Sequence, residues 1–189
     1  MRRGVAPRWV PTRDQLDAAR GKRVADLVAP RLRVLFCGIN PGLYSGAVGH
    51  HFARPGNRFW TALHRAGFTD RLVSPFDERS LLQCGLGITN LVNRATARAD
   101  ELEAEDLRRG ARRLARTARR YRPRVIAILG LGAYRIAFGV ARASVGPRED
   151  RVGGARVWVL PSPSGRTAGY QIDALVQAFR KLRMSAERE

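Results

Sequence analysis

Three apolar, strand-like runs in this sequence each lead directly into a segment of glycine and small polar residues. The segments are GINPG at residues 38–42, TNLVN at residues 89–93 and PSPSG at residues 161–165. An amide such as that of Asn40 orients a water molecule, and glycines such as Gly38 let backbone N–H groups approach a bound anion. None of the three segments contains Asp or Glu. Paired-carboxylate catalysis is therefore disfavoured, and a site of amides, hydroxyls and backbone N–H groups is favoured.

The alternation of helices and strands predicts that these segments meet. Strands are expected at residues 34–37, 87–92, 125–129 and 156–160, and helices at residues 57–66, 77–83, 101–122, 132–141 and 172–182. This order is typical of an α/β fold, a three-layer α/β/α sandwich around a central, mainly parallel sheet of about four strands. Ligands bind at the carboxyl ends of such strands, so the three polar segments are expected to converge there.

The connection after the first strand is unusually long. Helix signals return only at Asn57, an expected N-cap, so residues 38–56 are predicted to form one loop, and a loop of that length is usually functional. Residues 144–154 are predicted to form a second loop. His50 and His51 lie in the first loop, and we interpret both as plain polar residues because two adjacent side chains hardly both point into one pocket.

The charge balance of the chain suits a polyanionic partner, for which nucleic acid is the default. The chain has 35 basic and 16 acidic residues, a formal net charge of +19. Only Lys22 and Lys181 are lysines, so a biased genome composition would also produce this excess of arginine. The arginines of the helix at residues 101–122 fit either direct DNA contact or a solvated outer face, and their spread around the helix favours the second.

The chain is predicted to contain one main domain at residues 31–184, with a basic N-terminal extension at residues 1–30 and a tail at residues 185–189. The extension is expected to be disordered before Thr12, where a capping box with Gln15 starts a weak amphipathic helix that continues to Leu27. It is either a phosphate-tracking arm or a solvated extension. No apolar run is long enough to span a membrane and no secretory signal is evident, which predicts a cytoplasmic protein. Two cysteines and three histidines make no ligand set, so no metal and no cofactor are expected.

Several motifs, in this order, resemble those of the mismatch-specific uracil/thymine DNA glycosylases. They are GINPG at residues 38–42, FARPGNRFW at residues 52–60, GLGITNLVNRAT at residues 85–96 and VWVLPSPSG at residues 157–165. The resemblance covers roughly residues 32–182. It implies a monomeric enzyme, associated with the nucleoid, that flips uracil out of double-stranded DNA, preferably opposite guanine. Hydrolysis of the N-glycosidic bond would then leave an abasic site for downstream repair enzymes.

The resemblance also implies roles for particular residues. Asn40 corresponds to the catalytic residue, and the base pocket would comprise Gly38, Ile39, Tyr44, Ser45, Phe52 and Asn90. Phe52 would stack on the flipped base; the alternative is a core aromatic that anchors the loop. Asn40 has its own alternative, an asparagine that caps the turn before Pro41.

A second group of residues is implied to act on the DNA itself. The loop formed by Ser162, Pro163, Ser164, Gly165 and Arg166 would enter the minor groove, fill the gap left by the base and contact the opposite guanine. Ser162 stands where some relatives have Asn or His, and Arg166 stands where a close bacterial relative has an apolar wedge. We expect no lysine near any of the three segments, so a lyase step lacks its nucleophile. The rival function is a non-catalytic protein that binds damaged or mismatched DNA.

Overall fold

The central sheet has five strands in the computed structural model, which describes residues 10–164 and 171–188. The strands are β1 Val34–Gly38, β2 Leu86–Asn90, β3 Val125–Leu129, β4 Gly146–Val152 and β5 Ala155–Leu160. Their order is β2-β1-β3-β5-β4, with β4 antiparallel to β5 and all other pairs parallel. The predicted α/β fold with a mainly parallel sheet is therefore confirmed, with five strands rather than about four.

Helices cover both faces of the sheet. They are α1 Arg13–Asp17, α2 Leu43–Val48, α3 Phe59–Arg65, α4 Ala104–Tyr121, α5 Leu131–Phe138 and α6 Ile172–Glu187, with 3₁₀ helices at Pro75–Cys84 and Ala99–Glu101. Every residue of β1, β2 and β3 is buried, because their apolar side chains point alternately into two cores. One core contains α3 and α6, and the other contains α4 and α5. No helix among the described residues is both long and apolar enough to cross a membrane.

Two elements lie where the sequence predicted loops. Strand β4 occupies most of residues 144–154; only Val152 of it is buried, so this edge strand has no apolar pattern to reveal it. Gly153 and Gly154 close its hairpin with β5 at φ values of +59° and +94°, which glycine adopts without strain. Helix α2 shortens the predicted loop after β1, and Gly49 at φ +75° ends this helix.

The segment before β1 packs against the sheet. The predicted capping box of Thr12 and Gln15 is confirmed, but α1 ends at Asp17 instead of continuing to Leu27. Ala19, Val24 and Leu27 beyond it are nevertheless buried, and Leu27 pairs with Ile88 of β2. At the other end, α6 continues through the predicted start of the tail. Residues 1–9 of the predicted arm lie outside the described residues, and the domain boundaries remain predictions.

Candidate active site

The three polar segments meet at the carboxyl edge of the sheet, as the alternation of elements predicted. Gly38 and Asn90 are register partners at the ends of β1 and β2, and the Leu91 N–H donates to the Gly38 carbonyl over 2.8 Å. The segment after β5 joins them through Arg58. The Arg58 backbone N–H donates to the Pro163 carbonyl at 3.1 Å, and its guanidinium donates to the Ser164 carbonyl at 2.8 Å.

Gly38 lies between an aromatic ring and an amide. A methyl group built on Gly38 would come 2.5 Å from Oδ1 of Asn90 and 3.2 Å from Cζ of Phe52. The ring of Phe52 stacks on the buried ring of Phe59, with 4.2 Å between centroids. This packing holds Phe52 at φ +51°, a left-handed conformation that bulky residues rarely adopt and that is typical of functional sites. Predicted pocket residues 38, 52 and 90 thus lie together.

Asn40 follows directly and its amide is fixed by three acceptors. Nδ2 of Asn40 lies 3.1 Å from the Arg94 carbonyl, 3.1 Å from the Pro41 carbonyl and 2.8 Å from Oγ1 of Thr96, and these three acceptors share its two hydrogens. Two of these partners are carbonyls, which only accept, so the nitrogen must face them and Oδ1 must face away. No described residue donates to Oδ1 or accepts from the Asn40 backbone N–H. Both groups are therefore available to a ligand or to a water.

Thr96 is a site residue that the sequence interpretation missed. Its hydroxyl donates to the Arg98 carbonyl at 2.7 Å, which leaves the oxygen free to accept from Asn40, and the residue is only 2% exposed. The Thr96 N–H donates to the Pro41 carbonyl at 3.2 Å. A threonine six residues after the end of a strand carries no sequence signal of its own. The fold brings it to Asn40 through the β1–β2 pairing.

The interpretation of His51 as a plain polar loop residue is wrong. His51 is 2% exposed, its Nε2 lies 2.9 Å from the Ala25 carbonyl, and its Nδ1 lies 3.4 Å from Nδ2 of Asn90. Burial lowers the pKa of His51, against the opposing effect of Glu78. His50 is half-buried and its Nδ1 lies 3.1 Å from Oε1 of Glu78.

The remaining predicted pocket residues lie around this centre. Ile39 packs its side chain towards Gly130, and its carbonyl accepts from the Val92 N–H at 2.9 Å. Tyr44 and Ser45 lie on α2 rather than in an open loop. The buried Ser45 hydroxyl accepts from the Ala53 N–H at 3.1 Å, which ties α2 to the return of the chain after Phe52.

The segment after β5 is described as far as Ser164. The Ser162 hydroxyl accepts from the Ser164 N–H at 3.3 Å, a local turn that leaves Ser162 half-buried. Gly165 and Arg166, the remaining residues of the predicted DNA loop, lie outside the described residues.

Carboxylates lie behind the site and are already engaged. Asp26 accepts from Thr89 at 2.8 Å and from Arg113 at 2.9 Å, and Glu78 accepts from the His51 N–H at 2.9 Å. Arg113, predicted on an outward face of α4, instead turns inwards and also donates to the Asn90 carbonyl. Within the described residues, no group of three or more His, Cys, Asp or Glu side chains is placed to hold a metal ion.

An open α/β sheet with a fixed amide at its carboxyl edge is typical of ligand-binding α/β proteins. Residues 25–183 match the family model of the uracil DNA glycosylase superfamily. Because this match spans most of the chain, the protein belongs to the uracil DNA glycosylase superfamily. Membership indicates a DNA glycosylase, a hydrolase of DNA repair, and implies that the protein binds DNA.

Proposed function

We propose that this protein is a monofunctional, mismatch-specific DNA glycosylase, similar to the uracil/thymine enzymes, that acts on uracil in double-stranded DNA and prefers uracil opposite guanine. The observation that carries this proposal is the amide of Asn40, whose Nδ2 is held by three acceptors while Oδ1 and the backbone N–H have no partner among the described residues. Asn40 lies two residues after Gly38, where the absence of a side chain lets the backbone lie directly against Phe52 and Asn90.

Cleavage of the N-glycosidic bond of uracil does not require an ionised side chain to act as acid or base. Cleavage of the N-glycosidic bond passes through an oxocarbenium-like state and releases the uracil anion, whose charge is spread over two carbonyl groups. Backbone N–H groups such as that of Asn40 stabilise such an anion as an oxyanion hole does. Oδ1 of Asn40 accepts a hydrogen bond from a water and orients its oxygen towards the sugar. Weak activation of the water implies slow turnover, with specificity set by the fit of the base.

Base recognition and flipping are assigned to the groups around Gly38 and to the loop after β5. Phe52 stacks on the base, with its other face supported by Phe59, and Asn90 contacts the base edge. Arg166 fills the space left in the duplex by stacking and by a polar contact to the opposite guanine or a phosphate. Arg58 supports this loop by holding the carbonyls of Pro163 and Ser164.

The absence of lyase activity is part of the proposal. Lys22 lies beside the segment after β2, because its carbonyl accepts from the Ala95 N–H at 2.8 Å, and its side chain is exposed. We assign no Schiff-base role to this lysine. Borohydride reduction during the reaction is expected to trap no covalent protein–DNA adduct, and a trapped adduct that is lost in Lys22→Ala would contradict the assignment.

The direct test is release of free uracil from a duplex with one G·U pair, under single-turnover conditions, followed by alkaline cleavage of the abasic strand. We expect release from G·U to be faster than from A·U, because the mismatch costs less to unpair. Tight binding of the G·U duplex without any release would support instead a non-catalytic binder of damaged DNA.

We further propose that the protein acts as a cytoplasmic, nucleoid-associated monomer whose abasic product passes to other repair enzymes.

A further inference from the structure

One side of α4 forms a groove with the end of α5 and the hairpin of β4 and β5. The groove consists of two adjoining cavities of about 590 Å³ and about 560 Å³, which share Arg119 and Gly153. Among the described residues that line them, none is acidic and five are arginines, so we call it the basic groove: Arg108, Arg112, Arg119, Arg122 and Arg151.

The hairpin forms one wall of the basic groove and packs tightly on α4. A methyl group built on Gly153 would come 2.5 Å from the Ala115 carbonyl oxygen and 2.7 Å from Cβ of Ala118. The missing side chain therefore brings the hairpin backbone into direct contact with the helix. Close packing of this kind fixes the distance between the two walls and gives the groove a defined shape.

The positive charge of the basic groove is only partly neutralised by the protein itself. At one end, Arg112 pairs with Glu105 at 2.7 Å. At the other end, Arg119 and Arg151 are exposed and form no ion pair with any described residue. Arg151 donates instead to the Gly154 carbonyl at 3.1 Å. A concave surface lined by charges of one sign attracts ligands of the opposite sign, so this end favours an anionic ligand.

The floor of the basic groove is apolar. It is formed by small or apolar side chains of α4, α5 and β4, among them Ala111, Ala115, Phe138 and Val152. Ile136 also lines the groove and is 44% exposed, although a side chain of its size is usually covered. Arginines around an apolar floor are typical of surfaces that bind acidic segments of other proteins.

The hairpin end of the basic groove lies on the opposite side of the sheet from the candidate active site. Helix α4 begins near the carboxyl edge, where Asp106 pairs with Arg94 at 2.7 Å. It ends at the amino edge, where the Tyr121 carbonyl accepts from the Arg31 N–H at 2.7 Å. The hairpin lies at that amino edge too, because it directly precedes β5. A DNA duplex bound at the carboxyl edge therefore leaves this end of the groove accessible.

We propose that the basic groove binds an acidic segment of a partner protein, one that carries carboxylates and at least one apolar side chain. The carboxylates pair with the arginines, and the apolar side chain covers the floor and Ile136. Arg108 and Arg122 lie about 21 Å apart along the helix, at about 1.5 Å per residue, which is the length of about six extended residues. The inference goes beyond the proposed function and does not depend on it.

Other occupants fit the basic groove less well. Residues 1–9 and 165–170 of the chain, which lie outside the described residues, contain no Asp or Glu. A second copy of the chain has the same formal net charge of +19 and is repelled. Nucleic acid has the right charge, but its sugar–phosphate backbone offers no apolar side chain and leaves the floor uncovered.

The test measures the fluorescence anisotropy of a labelled synthetic peptide of about six residues, composed of equal parts of glutamate and leucine. We expect saturable binding to the full-length wild-type protein. Two control peptides separate the two contributions: in one, glutamine replaces glutamate, and in the other, serine replaces leucine. Each replacement is expected to weaken binding by about tenfold or more, because both the arginines and the floor are needed.

Three variants locate the binding site. Arg119→Glu is expected to weaken binding of the glutamate–leucine peptide by about tenfold or more, because Arg119 lines both cavities. Arg151→Glu, on the opposite wall, is expected to cause a similar loss. Arg120→Glu is the matched control and should stay within about twofold of wild type: it makes the same charge change at an exposed residue about 100° further around α4. Thermal unfolding reports whether each variant is folded.

The inference is overturned if Arg119→Glu and Arg120→Glu bind the peptide equally well, since net charge rather than the groove would then attract it. Undiminished binding of the glutamine peptide would overturn it as well. A variant Arg119→Glu that loses affinity for undamaged duplex but keeps its affinity for the peptide would assign the groove to nucleic acid instead. None of these measurements uses uracil release, so the failure of the proposed function would leave the inference standing.

Discussion

The carboxyl edge of the sheet and the outer face of α4 use their polar residues in opposite ways. At the carboxyl edge, His51, Asn90 and Thr96 are each 2% exposed, and neutral hydrogen bonds fix their orientation. On the outer face of α4, Arg109 and Arg112 are exposed and pair with two carboxylates of the same helix, Asp106 and Glu105, both at 2.7 Å.

Burial, rather than ion pairing, fixes the orientation of polar side chains in this molecule. The pKa of Glu105 is lowered by Arg112, and that of Asp106 by Arg109 and then by Arg94, so these carboxylates stay ionised and accompany the arginines. The pair of Arg112 and Glu105 is exposed, and exposed pairs contribute little to stability and hold no rigid geometry. The site relies instead on neutral groups that burial forces into one arrangement.

Gly38→Ala is expected to have the largest effect, because the added methyl group would come within 2.5 Å of Oδ1 of Asn90 and 3.2 Å of Phe52 and would displace both side chains. Uracil release should fall by about 100-fold or more, as expected when reacting groups are displaced. Single-turnover release measures the loss, and thermal unfolding reports whether the fold survives. Gly132→Ala is the matched control, since a methyl group there meets nothing within 4 Å. Full activity of Gly38→Ala would mean that the placement of Phe52 and Asn90 against Gly38 does not matter for uracil release.

Thr96→Val is expected to have an intermediate effect. It keeps the shape of the buried side chain but removes the oxygen that accepts from Asn40, so the amide is held by two carbonyls alone. A loss of about tenfold in uracil release is expected, equivalent to about 1.4 kcal/mol. Thr96→Ser keeps the oxygen and should recover most of the rate. If Thr96→Ser and Thr96→Val released uracil at the same rate, Thr96 would act only through packing.

Arg112→Ala is expected to have the smallest effect. The exposed pair with Glu105 holds no group of the site, so single-turnover release should stay within about twofold of wild type and the thermal unfolding midpoint should hardly change. The salt dependence of binding to undamaged duplex is the sensitive readout. A decrease of about one in the slope of log affinity against log salt concentration would place this face of α4 in the DNA interface. The contrast between the carboxyl edge of the sheet and the outer face of α4 would then no longer hold.

Elements that are buried on both faces were the easiest to predict from sequence. Residues 125–129 match β3 because the whole run is apolar and ends at Gly130, and the meeting of the three polar segments followed from the alternation of elements alone. Strand β4 was missed because an exposed edge strand needs no apolar pattern. Helix α2 was missed because its six residues lie in a loop motif rich in glycine.

The supporting residues of the site were beyond prediction for a different reason. Asn40, Phe52 and Asn90 have roles that the family resemblance implies. Thr96 also stands in one of these motifs, but its role and that of His51 depend on partners far away in the chain. Thr96 reaches Asn40 across 56 residues, and His51 reaches Ala25 and Asn90 across 26 and 39 residues. Only the packed fold brings such groups together. The inward turn of Arg113 towards Asp26, 87 residues away, belongs to the same class.

The central claim, that the fixed amide of Asn40 orients the attacking water, is tested most directly by Asn40→Ala on a G·U duplex. Single-turnover uracil release and equilibrium binding are measured on the same substrate, with Asn93→Ala as the control, since its amide instead holds the Val24 N–H at 3.1 Å. We predict that Asn40→Ala binds with an affinity within about threefold of wild type and loses about 100-fold in release, because the amide acts mainly in the transition state. Release within about threefold of wild type would contradict the account.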